Sequence, residues 1–102
     1  MKIEIVPKQY IKKLNYQDAV LYCSILNIDD KNDWRLPSFA ECRHISPLLK
    51  RYALYKGGIR DIYWINFHIN DETSRIYDLV DDTIHTFNEM MEFYVCPIRY
   101  EY

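Results

Sequence analysis

The stretch DWRLPSFAE, residues 33–41, lies between two segments whose apolar residues have helical spacing. Ser38 and Glu41 have the spacing of a capping box, in which each side chain binds a free backbone N–H of the other residue at a helix start. Pro37 disfavours a helical conformation of the preceding residue, so Leu36 is expected to be extended. The stretch therefore predicts an extended segment that leads directly into a helix.

Trp34 and Arg35, within the same stretch, admit a functional and a structural interpretation. Both residue types are common at binding hot spots, which would favour a recognition site. We prefer the structural interpretation, in which Trp34 fills the core and Arg35 pairs with a carboxylate such as Glu41 or with a carbonyl at the helix start. Together with Pro37 and Ser38, these residues are assigned to the architecture of the domain.

The segments before this stretch predict a strand, a helix and a turn. Residues 2–6 alternate in polarity and end at Pro7, which cannot donate to a sheet ladder, so we expect a short first strand. Residues 16–28 carry apolar side chains at mixed spacings of three and four, which is typical of a helix buried on one side. Residues 29–33 resemble the start of an EF-hand loop, but Lys31 occupies a ligand position, so a solvated turn is the better interpretation.

The segments after the stretch predict more helix and then strands. The second helix is expected to break at Ser46-Pro47, to resume over residues 48–55 and to stop at Gly57-Gly58. Helices thus come early and strands late, which indicates an α+β fold. The β-branched and aromatic runs predict an antiparallel meander over residues 62–67, 75–80, 84–87 and 94–100.

Length and composition limit the class of protein. A chain of 102 residues suits one domain over residues 1–102. Its 49% apolar and 27% charged residues are ordinary for a globular protein, which excludes a disordered chain and a membrane-spanning segment. A net charge of -2 lacks the positive field that nucleic-acid binding needs. Residues 1–13 show no apolar signal region, so we expect a cytoplasmic location.

The residue usage also suggests an origin. Thirteen Ile, ten Tyr and seven Lys accompany only two Gly and three Ala. This bias is expected of a gene rich in A and T, and it suggests a virus or a mobile element.

Several short motifs occur in a recognisable order along the chain. They are Tyr16-Gln17-Asp18-Ala19, Tyr22-Cys23, residues 33–38 with Glu41, Tyr63-Trp64 and Val95-Cys96-Pro97-Ile98-Arg99. This series resembles the Lcl C-terminal domain family, whose members have a fold related to C-type lectins and to formylglycine-generating enzymes. The resemblance covers most of the chain from Tyr16 onward. It implies a C-type-lectin-like fold, with two main helices packed on a small antiparallel sheet, in a single Lcl C-terminal-like domain.

The same resemblance implies a relationship between two cysteines. Cys23 and Cys96 correspond to positions that C-type-lectin-like domains often join, so we expect them to lie close together. In a reducing cytoplasm they are expected to be two packed thiols, because free Cys behaves as a small buried hydrophobe.

Two groups of residues are candidates for a partner surface. The first lies in a run where flexible Met side chains are flanked by charges, which suits either adaptable protein contact or core filling under a loop: Met90, Met91 and Phe93. The second combines aromatic and basic side chains near the exit of the second helix, as a rim for a protein or a small anionic ligand or as half-buried packing: Tyr52, Tyr55, Lys56 and Arg60.

The sequence therefore predicts a small non-enzymatic module that binds another protein, such as a virus- or mobile-element-encoded inhibitor or modulator of a host protein. We expect no catalytic residue, metal or cofactor, and no nucleic-acid or membrane partner. Self-association through a sheet edge, formed by the first strand or by residues 94–102, is left open.

Two alternative functions belong to other classes. A calcium-dependent glycan-binding module would gather hard oxygen ligands from Asp71, Glu72, Asp78, Asp81 and Asp82, but the sequence signatures of such sites are absent. A cysteine-dependent enzyme would need a nucleophile beside a base. Cys42 and His44 are two residues apart and so lie on different helical faces, which makes this the least favoured function.

Overall fold

The computed structural model of the protein describes residues 2–51, 61–68 and 73–101. Two helices precede most of the strands, which confirms the α+β class. The elements in chain order are β1 (Lys2–Ile5), a short 3₁₀ helix (Lys8–Tyr10), β2 (Lys12–Leu14), α1 (Tyr16–Ile25), α2 (Phe39–Arg51), β3 (Ile62–His68), β4 (Thr73–Asp78), β5 (Thr83–Asn88), β6 (Phe93–Val95) and β7 (Ile98–Glu101).

The strands form a five-stranded sheet in the order β2-β6-β3-β4-β5 and a two-stranded ribbon of β1 and β7. The expected antiparallel meander is present in β3, β4 and β5. The expectation of a purely antiparallel sheet is wrong, because β3 and β6 run parallel where Tyr63 lies opposite Tyr94. The sheet is therefore mixed.

The predicted strand over residues 94–100 is two strands. β6 ends at Val95 and β7 begins at Ile98, with Cys96 and Pro97 between them. Pro97 has no N–H to give to a ladder, and its carbonyl accepts from the N–H of Val6 at 3.3 Å. The chain therefore leaves the large sheet at this point and pairs with β1.

The predicted break in the second helix is wrong, because α2 runs without interruption through Pro47. A proline at position 47 leaves the carbonyl of Arg43 without its usual helical N–H donor. The hydroxyl of Ser46 donates to that carbonyl at 3.1 Å. A neighbouring side chain thus replaces the missing hydrogen bond, and the helix continues.

The first helix is shorter than predicted. Its N-cap is Asn15, whose side chain accepts from the N–H of Asp18, and Leu26 is already extended after the last helical residue. Ile28 and Lys31 then pair across a tight turn, with positive φ values of 52° at Asp29 and 67° at Asp30. The residues that resemble an EF-hand start therefore form a hairpin-like turn.

The core joins α1 to the large sheet through Trp64, which is fully buried. Its ring meets the edges of Tyr16 and Phe93 at centroid distances of 5.3 and 5.1 Å, and its indole N–H donates to the carbonyl of Leu14 at 2.9 Å. The Trp64 side chain thereby joins α1, β6 and β2 to β3. In the part of the chain that the structure describes, no helix is long and apolar enough to cross a membrane.

Candidate functional site

The motif of residues 33–41 forms a partly buried junction. Both nitrogens of the Arg35 guanidinium fork donate to the Glu41 carboxylate, at 2.9 and 2.7 Å. Ser38 and Glu41 bond reciprocally, at 2.8 Å from the N–H of Ser38 and 3.2 Å from the N–H of Glu41, so the predicted capping box is confirmed. The hydroxyl of Tyr100 also donates to Glu41. The hydrogen-bonded Arg35 is the main reason why the pKa of Glu41 is lowered from 4.5 to about 2.

Trp34 and Pro37 anchor the same junction to other elements. Trp34 is buried, as expected, and its indole N–H donates to the carbonyl of Lys31 at 2.9 Å. Pro37 is also fully buried, and its carbonyl accepts from Asn66 on β3 at 2.8 Å. Arg35 exchanges backbone hydrogen bonds with Ile98 on β7, at 2.9 and 2.8 Å. The motif therefore connects α2 with β3 and β7, and its Trp offers little surface to a partner.

The cysteines are free thiols inside the core. Burial raises the pKa of Cys23 to about 12 and that of Cys96 to about 12, and it also raises the pKa of Cys42. Cys23 lies close enough to Cys96 to add to the latter shift. Buried, protonated thiols are poor nucleophiles, so these residues are placed as packing groups.

Two of the carboxylates that would build a calcium site accept hydrogen bonds within the domain, and two others lie outside the described residues. Asp78 accepts from the N–H of Val80 at 3.0 Å, and Asp82 accepts from the Tyr77 hydroxyl at 2.8 Å. Within residues 2–51, 61–68 and 73–101, no three His, Cys, Asp or Glu side chains gather in a way that could hold a metal. Asp71 and Glu72 lie outside the described residues.

The candidate partner residues near the C-terminus divide into two kinds. Met90 and Met91 project from the turn between β5 and β6, with 76% and 46% of their surface exposed. Phe93 was expected on the same surface, and that expectation is wrong, because Phe93 is only 8% exposed. Its ring packs on those of Trp64 and Phe87, at 5.1 and 5.3 Å. The candidates Tyr52, Tyr55, Lys56 and Arg60 lie outside the described residues.

Glu89 fixes the turn that carries the two methionines. Its backbone carbonyl accepts from the N–H of Tyr16 at 3.0 Å, and its carboxylate accepts from the Gln17 amide at 3.3 Å. The other carboxylate oxygen accepts from the buried hydroxyl of Ser74. Glu89 is itself only 3% exposed. The turn is therefore tied to the first residues of α1 and to β4.

The outward side of α1 carries large apolar residues, although the sequence predicted a helix buried on one side. Ala19 and Cys23 face the interior, whereas Val20, Leu21 and Ile25 are 45%, 56% and 69% exposed. A surface helix normally has polar residues on its solvent side. The overlooked signal was that the apolar positions of residues 16–28 surround the helix instead of forming one stripe.

The β5–β6 turn lies beside the start of α1, because Glu89 bonds to Tyr16 and Gln17. We call the exposed apolar residues of α1 and of this turn the α1–Met surface: Val20, Leu21, Ile25, Met90 and Met91. Charges of both signs surround it, since Asp18 lies on α1 and Glu92 follows Met91, while the Lys12 ammonium lies 5.3 Å from the ring centre of Tyr22 on α1. The arrangement combines an apolar centre with a rim of mixed charge.

A scan against models of protein families finds none that matches this chain, and a search of curated proteins also gives no match.

Proposed function

We propose that the protein is a small non-enzymatic module that binds another protein through the α1–Met surface. The observation that carries the proposal is that α1 is apolar on both sides, with Ala19 and Cys23 buried and Leu21 and Ile25 exposed. Contiguous exposed apolar groups on a folded domain mark interaction sites more often than isolated ones do. Moving an exposed Leu or Ile side chain into a dry interface is worth on the order of 1–2 kcal/mol.

The partner is expected to present an apolar surface. The charges around the α1–Met surface are of both signs, so its apolar residues define the contact. The two methionines are flexible and can adjust to the shape of the partner. Because Glu89 fixes their backbone, this adaptation would be confined to side chains and would order little of the chain on binding.

An inhibitor or modulator of a host protein fits this mode of action, because a docked domain of this size can cover the surface that the partner needs. The three described cysteines are buried thiols, which supports a binding role over nucleophilic chemistry. A reducing compartment such as the cytoplasm would suit these free thiols.

The proposal also includes a specific fold family for this α+β domain. We propose a C-type-lectin-like domain of the Lcl C-terminal type on the resemblance of the sequence motifs, and the motif residues have structural roles here. Trp34, Trp64 and Cys96 are all buried, and Arg35 and Glu41 form the ion pair that links the motif to the second helix.

The test compares a variant that introduces charge on the proposed surface with a control that introduces charge elsewhere. Leu21→Glu combined with Ile25→Glu alters the proposed surface, and Val80→Glu alters an exposed aliphatic residue in the β4–β5 turn as a control. Tagged proteins, checked for equal thermal stability, are used to recover partners from cells of the native host, and each partner is then purified for direct titration. We expect one partner that binds the control as it binds the wild type and binds the double variant at least about tenfold more weakly. Equal affinity for all three proteins would overturn the proposal.

A further inference from the structure

A concave site lies between α2 and the β1–β7 ribbon, and it shares no residue with the α1–Met surface. It is a groove of about 650 Å³. Ile3 and Tyr100 are directly opposite each other on the ribbon, so their side chains share one face and form one wall. Ala40, His44 and Leu48 follow each other at intervals of four on α2 and form the other wall. The volume lies within the range of small-molecule sites.

The groove is apolar inside and carries basic side chains. Ile45 and Leu48 contribute aliphatic surface from α2, and Leu48 remains exposed although it is a large apolar residue. Lys2 and Arg51 line the groove from the ribbon and from the last residue of α2. Among the described residues, neither forms an ion pair within 4.0 Å. Both side chains are exposed, and Lys2 lies opposite Glu101 on the ribbon.

The negative charge of Glu41, the carboxylate in the lining, is already balanced by hydrogen-bond donors of the protein. Glu41 accepts from Arg35 through both oxygens, and Tyr100 and the backbone of Ser38 also donate to it. These bonds also hold the Tyr100 hydroxyl against α2, which fixes the ring that forms part of the wall. The remaining charge in the described lining is positive.

We propose that this groove binds a small amphipathic anion, with an aliphatic or aromatic body and one carboxylate. The body would lie between the ribbon pair Ile3–Tyr100 and the apolar side of α2. The carboxylate would lie near Lys2 and Arg51, whose charges would stabilise it. A neutral molecule with the same body would lack the interaction between the carboxylate and the two cations, so it would bind more weakly.

The test uses decanoate as the probe, below its micelle concentration, and decanol as a neutral match, in calorimetric titrations of the whole chain. We expect saturable binding of decanoate with one site and binding of decanol that is at least about tenfold weaker, the loss expected for a charge-assisted hydrogen bond. Lys2→Gln combined with Arg51→Gln should weaken decanoate by a similar factor. The control Lys8→Gln combined with Lys50→Gln removes two exposed cations outside the groove and should leave the affinity unchanged.

Three results would overturn the proposal: no saturable binding of decanoate, equal affinity for decanoate and decanol, or equal affinity of the groove variant and the control. A bulky Ala40→Trp variant provides a second test, because it should fill the groove and reduce decanoate affinity at least about tenfold while Lys2 and Arg51 remain. Undiminished binding to a correctly folded Ala40→Trp protein would place the anion elsewhere and contradict the assignment.

Discussion

The backbone N–H of Tyr16 donates to the backbone carbonyl of Glu89 at 3.0 Å, which joins the first residue of α1 to the turn that carries Met90 and Met91. The two residues are far apart in sequence, and the bond places the β5–β6 turn beside the start of α1. The Glu89 carboxylate strengthens the junction through Gln17 and Ser74. The shape of the proposed docking surface therefore depends on Glu89.

Replacement of that carboxylate is expected to destabilise the domain. Glu89→Ala removes the acceptor for the Ser74 hydroxyl and the Gln17 amide, and we expect the free energy of unfolding in urea to fall by about 2 kcal/mol. Glu92→Ala, in the exposed part of the same turn, should stay within about 0.5 kcal/mol of the wild type. Equal effects of the two substitutions would mean that Glu89 does not fix the turn.

Acid should destabilise the protein through Glu41. Its pKa in the folded protein is about 2, against an ordinary value of 4.5, mainly because Arg35 donates to it. A lowered pKa stabilises the folded state above the ordinary value, and this stabilisation is lost as pH falls from 4.5 towards 2. We expect Glu41→Gln to lower the free energy of unfolding at pH 7 by on the order of 2 kcal/mol and to flatten its pH dependence in the acid range.

The measurement is urea unfolding at a series of acid pH values, with Glu92→Gln as the control because Glu92 is exposed. The control should keep the acid slope of the wild type. A Glu41→Gln protein with that same slope would show that the acid sensitivity comes from other carboxylates.

The continuity of α2 through Pro47 predicts a coupling between two neighbouring residues. Ser46→Ala removes the hydroxyl that donates to the Arg43 carbonyl, and we expect a loss of about 0.5 kcal/mol in the wild type. In a Pro47→Ala background the restored backbone N–H can serve that carbonyl, so Ser46→Ala should cost close to nothing. A double-mutant cycle of unfolding free energies tests this, and strict additivity would contradict the compensation by Ser46.

Within the run of residues 90–93, substitutions of Met90 and Phe93 should have different effects on stability. Phe93→Ala removes a ring that packs on Trp64 and Phe87, and we expect a loss of about 3 kcal/mol in unfolding free energy. Met90→Ala removes a side chain that is 76% exposed and should change stability by less than about 0.5 kcal/mol. Similar losses in thermal and urea unfolding for both variants would contradict the division of this run into core and surface.

The local features of the fold were predictable from the sequence because they depend on neighbouring residues. The capping box of Ser38 and Glu41 follows from a spacing of three, and the burial of Trp34 follows from its place between two helices. The continuity of α2 was missed because Pro47 was expected to break the helix, whereas the Ser46 hydroxyl donates to the carbonyl of Arg43.

The remaining features depend on contacts between distant residues. No local pattern predicts the parallel pairing of Tyr63 with Tyr94. The same holds for the passage of the chain from the large sheet to the ribbon at Pro97. The exposure of Leu21 and Ile25 was missed because the apolar spacing of residues 16–28 was interpreted only as one buried side. An apolar pattern that surrounds a helix indicates either full burial or a partner, and the sequence alone does not distinguish them.

The most direct measurement of the central claim is photocrosslinking from two single positions in cells of the native host. A photoreactive residue replaces Leu21 on the α1–Met surface or Val80 in the β4–β5 turn, which are exposed to a similar degree, 56% and 59%. The account predicts an adduct with one other protein from position 21 and none with that protein from position 80. The absence of an adduct from position 21, adducts of equal yield from both positions, or an adduct only with a second copy of this chain would contradict it.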